Sequence, residues 1–150
     1  MKLEKEIKHE HFENEFLKAV LNIMVTADKL STMTNAALKP FGISKEQFNV
    51  LRILRGQYPT PCTIQQITER MISKSSNATR LVEKLRVKEL VERVQCLDDR
   101  RKVDVVITKK GLELLETVDP VVRESSSQLE SNITNVEAIA LNRLLDKLRG

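Results

Sequence analysis

Residues 73–108 constrain the fold more than any other part of the chain. They read SKSSNATRLVEKLRVKEL, VERVQCL, DDRR and KVDVVIT in unbroken succession. In the first piece Ala78, Leu81, Val82 and Leu85 recur at relative positions 0, 3, 4 and 7, the stripe of a helix buried on one side. Ser73 is placed to cap that helix. Its other side carries Lys74, Ser75, Asn77, Arg80 and Lys84, all polar or cationic. Two strand-like runs follow, residues 91–97 and 102–108, joined by a tight charged turn. In the second, Val103, Val105 and Ile107 alternate with Asp104, Val106 and Thr108, as in a half-buried strand. A helix with a polar, basic outer face and a basic-tipped hairpin together fit DNA: the helix enters a major groove while the hairpin reaches a neighbouring groove or phosphate.

The residues before this segment supply its partner helices. Thr63 with Gln66 forms a capping box opening a helix over about residues 64–71, striped by Ile64, Ile67 and Met71. With the helix after it, this makes a helix-turn-helix. Ser44 with Gln47 forms another box, opening a helix over about residues 45–57. Phe48, Val50, Leu51, Ile53 and Leu54 are apolar on more than one side of that helix, which places it at the centre of the domain. Pro40 and Gly42 separate it from a long first helix, about residues 11–38.

The terminal helices are broadly apolar. Phe12, Phe16, Ala19, Val20, Ile23, Ala27 and Leu30 stripe the first, and Leu17, Leu21 and Met24 widen the stripe. That breadth exceeds what one neighbouring helix covers and implies burial against a second chain as well. After Thr108 a long helix is expected to about residue 131, with Pro120 kinking it or ending it near Asp119 and three serines, 125–127, weakening it further. Thr134 and Glu137 cap a last helix, about residues 135–149, with Leu141, Leu144, Leu145 and Leu148 as its stripe. Two apolar helical regions so far apart in sequence most simply pack with their copies in a second chain.

Composition narrows the function classes. The net charge is only +4, yet residues 63–110 hold 12 Lys/Arg against 7 Asp/Glu, so the basic excess lies in the segment expected to meet DNA. No apolar run approaches ~18 residues, and the charged N-terminus lacks the apolar stretch of a signal peptide, so a cytoplasmic protein is expected. Cys62 and Cys96 read as small buried hydrophobes, and neither their number nor their spacing suggests zinc. His9 and His11 lie at a frayed helix start and read as solvated side chains. There is no Gly-rich phosphate loop, metal-ligand cluster or nucleophile set, so no enzyme, cofactor or metal is expected.

Three passages resemble the MarR family of dimeric winged helix-turn-helix transcription factors. They are LKPFGISKEQFNVLRIL, IQQITERMISKSSNATRLVEKLRVKELVERV, and DDRRKVDVVITKKG. The resemblance covers residues 38–115 in detail and the flanking helices only in type. It implies a mainly α fold with a small antiparallel β-wing. Residues 1–38 and 111–150 would form a dimerisation region, and residues 39–110 the winged DNA-binding domain. It implies that Ser75, Ser76, Asn77, Thr79 and Arg80 line the recognition helix, flanked by Lys74 and Lys84. Arg100 or Arg101 would be the wing-tip cation in the minor groove, Asp99 would hold the wing by an ion pair, and Arg93 would contact or face phosphate. Chemistry supports these roles: Arg80 pairs bidentately with guanine or clamps phosphate, Asn77 reads adenine, and Ser and Thr hydroxyls serve phosphates or bases.

Two positions depart from the family. Glycine often stands where Glu89 does, as a left-handed helix cap. Glutamate there costs roughly 1–2 kcal/mol, so a different helix ending is the expectation. Asp98 replaces a basic or neutral residue and weakens the wing's attraction to phosphate. The resemblance further implies a homodimer on a pseudo-palindromic operator, released by a small effector wedged between dimer region and winged domain. The effector's identity has no signature in the sequence. The competing readings are a winged-helix protein-interaction module that does not bind DNA, and a thiol-based redox sensor acting through Cys62 or Cys96.

Overall fold

The structure, a computed structural model, describes every residue except 97, 98, 100 and 101 and the side chain of residue 128. A short α1 (Leu3–Glu6), absent from the sequence reading, precedes the long α2 (Glu15–Leu38). Asn14 caps α2 by accepting the Leu17 N–H at 2.8 Å, so the helix starts four residues later than its apolar stripe suggests. A 3-10 turn (Lys39–Phe41) and Gly42, at φ 67°, redirect the chain into α3 (Lys45–Gln57). Then follow α4 (Ile64–Arg70), α5 (Ala78–Val87), β1 (Val91–Gln95), β2 (Val103–Ile107), α6 (Lys109–Glu130) and α7 (Asn135–Arg149).

All three expected capping boxes are present, with reciprocal bonds between Ser44 and Gln47, Thr63 and Gln66, and Thr134 and Glu137. The wing strands pair antiparallel from Val91 opposite Ile107 to Gln95 opposite Val103. Cys62 adds a bridge on the other side of β2, exchanging two 2.8 Å hydrogen bonds with Val105. Thus β2 lies between Cys62 and β1.

The core is aliphatic and sits beneath α3. Val50, Leu51 and Leu54 meet Ile67 and Met71 of the α4 region, Val82 and Leu85 of α5, and Val105 and Ile107 of β2. Leu115 and Val118 of α6 join the same core. By contrast α7 buries no residue within the chain: Leu141, Leu144 and Leu148 are each about half exposed. On α2, Phe16 and Met24 are more than 60% exposed. An intramolecular bundle therefore does not cover these stripes.

Two expectations about helix ends are corrected. Pro120 neither ends α6 nor splits it, because the helix runs to Glu130. The proline removes one backbone donor, but Leu115 and Val118 anchor the turns before it in the core, and Asp119 accepts a 2.5 Å bond from the Arg55 guanidinium of α3. The three serine hydroxyls donate to carbonyls three residues back, at Val122, Arg123 and Glu124, inside an intact helix.

The end of α5 also differs from expectation. Glu89 takes the left-handed conformation itself, at φ 61°. Its N–H donates to Arg86 O at 2.8 Å and the Leu90 N–H to Leu85 O at 3.0 Å, the paired bonds of a Schellman ending. The side chains of Leu85 and Leu90 are both buried there. Thr108 donates its hydroxyl to the Glu89 carbonyl at 2.8 Å, and Lys110 pairs with the Glu89 carboxylate at 3.0 Å. The helix ends as it would on glycine because the next strand and α6 clamp this turn.

Candidate nucleic-acid interface

The helix α5 begins later than its sequence suggested. Asn77, not Ser73, is the cap: its Oδ1 accepts the Arg80 backbone N–H at 2.9 Å, and α5 starts at Ala78. Residues 71–77 form a connecting turn. Asn49 of α3 braces it by accepting the Ile72 N–H at 2.9 Å. The Ser76 N–H donates to Ser73 O at 3.2 Å, and the hydroxyls of Ser73 and Ser75 meet at 3.3 Å. Lys74 reaches back to the Glu69 carbonyl at the end of α4. Lys74, Ser75 and Ser76 thus belong to the turn before the helix and not to its outer face. Asn77 has one acceptor site of its side-chain oxygen committed to the cap, and its amide N–H groups remain to meet a base edge.

On α5 itself the expected two-sidedness holds. Ala78, Val82 and Leu85 are buried, and Thr79, Arg80 and Lys84 are exposed. The turn and the first turns of α5 therefore leave Lys74, Ser75, Asn77, Thr79 and Arg80 exposed, with Ser76 half-buried.

The wing root differs from expectation. Arg93 is turned toward the helix, its guanidinium 3.1 Å from Glu83 on α5. Glu83 also receives Arg86 at 2.7 Å. Neither Glu83 nor Arg86 figured among the expected site residues. Their i,i+3 spacing was a readable sign of pairing, but nothing local connects Glu83 to a residue ten positions on. At the far end of the wing, Asp99 accepts the Lys102 N–H at 2.9 Å through its carbonyl, and the Cys96 N–H donates to Lys102 O at 3.2 Å. Arg100, Arg101 and Asp98 lie outside the described residues.

Comparisons with known proteins agree with this fold. The family model described as MarR family matches residues 43–103. The chain is 28% identical over 141 residues to the transcriptional repressor MprA of Escherichia coli K12, covering 94% of this chain and 80% of the relative. A mutant MarR from E. coli, solved complexed with operator DNA, superposes with a TM-score of 0.79 at 26% identity, covering 93% of this chain and 99% of that one. A MarR transcription factor from Planctomyces limnophilus gives a TM-score of 0.70 at 29% identity, with 91% and 98% covered.

Residues 43–103 carry a MarR-family domain, within a chain similar over nine-tenths of its length to MarR winged-helix regulators. As a regulator of this kind it is not an enzyme. Among the described residues no group of three or more His, Cys, Asp or Glu is arranged to hold a metal ion. His9 lies edge-on to Phe12, with ring centroids 5.3 Å apart. Cys62 is buried, and burial pushes its thiol pKa up, which suppresses the thiolate that oxidation requires. Cys96 is half-buried just past the end of β1, with β2 between that strand and Cys62. This regulator's geometry therefore does not favour a thiol sensor. No described helix is long and apolar enough to cross a membrane.

Proposed function

We propose that this chain is a homodimeric, sequence-specific DNA-binding regulator acting in the cytoplasm. Residues 1–38 and 111–150 form its dimerisation region and residues 39–110 its DNA-binding domain. The carrying observation is the division of α5 into a buried aliphatic face and an exposed face bearing Thr79, Arg80 and Lys84. Thr79 and Arg80 meet base edges and phosphates, and Lys74, Ser75, Ser76 and Lys84 flank them on the phosphate backbone. Arg100 or Arg101 enters the minor groove, with Asp99 holding the wing. The exposed leucines of α7 and the apolar residues of α2 support the dimer, since patches of this kind on monomers are small or functional. Paired recognition helices then enter successive major grooves about 34–36 Å apart on a pseudo-palindromic site.

Release by a small effector is part of the same reading. An open, mostly apolar concavity lies between α2 and α6, lined by Met33, Ala36, Ala37, Pro120, Val121 and Glu124. All of these residues fall within the dimerisation region, on the two helices that flank the winged domain in the chain, so a ligand there bears on the spacing of the recognition helices.

Selection of bound duplexes from a random pool, followed by gel shifts at matched salt, tests the proposal. The selected site binds tighter than random duplex by at least ~10³-fold, the low end for specific regulators. Arg80→Ala removes most of that difference. Equal affinity for both duplexes, or a monomer by sedimentation, overturns the reading.

A further inference from the structure

The recognition helix carries a carboxylate where phosphate repulsion argues against one. In α5, Glu83 lies one turn beyond Thr79 and Arg80, half-buried at the joint between helix and wing. Its Oε1 receives Arg86 Nη2 at 2.7 Å and Arg86 Nε at 3.1 Å, and Arg86 Nε lies 3.2 Å from Oε2. Oε2 also receives Arg93 Nη2 at 3.1 Å. Arg93 stands two residues after buried Val91, on the sheet face that turns toward α5. The same carboxylate therefore joins a cation of its own helix to one on the neighbouring strand. The groove around it is lined by further charges, Glu89 and Glu92, but Glu89 is paired with Lys110. The Arg86 hydrogen bond, followed by the charges of Arg86 and Arg93, holds the Glu83 carboxyl below the usual carboxylate range, so it is ionised when DNA is met.

An arginine on a free stem meets phosphates regardless of sequence, and each such contact adds about 0.9 to the salt dependence of binding. An arginine held by a carboxylate keeps one direction. We propose that Glu83 is a specificity-determining positioning residue: by holding Arg86 and Arg93 together it locks the wing root to the recognition helix and withholds two cations from indiscriminate phosphate contact. This rests on the DNA-binding reading above and deepens it.

Glu83→Gln keeps the side-chain shape and removes the charge at a half-buried position. Its affinity for random duplex rises ~3–10-fold, its salt slope steepens by about 1–2, and its preference for the selected operator falls ~10-fold. In an Arg93→Gln background the same substitution steepens the slope by only about 1, since only Arg86 is left to release. An unchanged slope overturns the proposal. So does an equal gain in affinity for operator and random duplex, which charge removal alone gives. If the unsubstituted protein does not discriminate between duplexes, sequence-specific recognition fails, while the random-duplex slope still decides whether Glu83 restrains the arginines. A readout without DNA separates the two readings completely: amide exchange across residues 91–95 quickens in Glu83→Gln, and unchanged exchange overturns the tie between helix and wing.

Discussion

Replacing Glu89 reverses an ordinary rule about glycine. In the interior of a helix, glycine is less stable than alanine by roughly 0.5–1 kcal/mol. Glu89 stands instead at φ 61°, just past the end of α5, in a Schellman ending closed by bonds to Arg86 O and Leu85 O. A side chain with a Cβ loses roughly 1–2 kcal/mol in that conformation. Glycine avoids this loss but gives back about 0.4–1 kcal/mol through the greater freedom of its unfolded chain. Glu89→Gly and Glu89→Ala both remove the ion pair to Lys110, so their difference isolates the backbone. Glu89→Gly is expected to be the more stable by about 1 kcal/mol, a rise of about 2–4 °C in Tm for a chain of this size. The ion pair is seen in the separate comparison of Glu89→Ala with the unsubstituted protein. Both partners are largely exposed, so it contributes about 0–1 kcal/mol. Urea unfolding at one fixed protein concentration measures both differences, a necessary condition for a chain that dimerises. If Glu89→Ala equals or exceeds Glu89→Gly, the left-handed strain assigned to this turn is refuted.

Gly111 is required for space instead. A Cβ built there meets the Leu90 carbonyl oxygen at 2.3 Å and Ile107 Cγ1 at 2.6 Å. That carbonyl is fixed by the Thr108 N–H, so Gly111→Ala is expected to cost about 2–3 kcal/mol in urea unfolding, and a loss below about 0.5 kcal/mol refutes the clash. Thr134 lowers the Glu137 pKa, first through its backbone N–H and then through its hydroxyl. The stabilisation is complete above the unfolded value of about 4.3 and is lost as pH falls through the lower folded value. Glu137→Gln therefore flattens the acid limb of stability against pH, and an unchanged acid limb contradicts the assignment. Peroxide leaves operator binding by the unsubstituted protein equal to that of the double variant Cys62→Ser, Cys96→Ser. A peroxide-induced release that the double variant abolishes restores the sensor reading.

What the sequence revealed was what neighbouring residues decide. The capping boxes at Ser44, Thr63 and Thr134 are set by residues three apart and formed as read. The start of α5 was misread because Ser73 and Asn77 are both good caps by type. Contacts from outside chose between them: Asn49 on α3 fixes the Ile72 N–H, and Lys74 returns to the Glu69 carbonyl. Pro120 gave a valid local warning, but packing of Leu115 and Val118 and the bond from Arg55 to Asp119 outweighed it. The cap at Glu89 is a similar case, with the clamp supplied by Thr108 and Lys110 from beyond the wing. Arg93 could not be oriented from the sequence because its partner lies across the end of α5.

The same distinction changes how the basic segment is understood. Residues 63–110 carry 12 Lys/Arg, but a count treats each as free to meet phosphate. Arg86 and Arg93 are held by Glu83, and Lys110 by Glu89. Lys74 and Lys88 bond the carbonyls of Glu69 and Gly42. Among the described residues, Arg80 and Lys84 are exposed on α5 with no ion pair. A lysine bonded to a carbonyl still has donors to offer, whereas an arginine shared on a carboxylate has part of its charge neutralised as well. The electrostatic footprint is thus narrower than the composition suggests: among the described residues of this segment, Arg70 and Lys102 join Arg80 and Lys84 as exposed cations outside any ion pair. A salt slope reports the cations that reach phosphate, at about 0.9 for each. For this chain it should fall well short of what twelve cations per protomer would give, and a slope near that full count would mean that the ion pairs open when DNA binds.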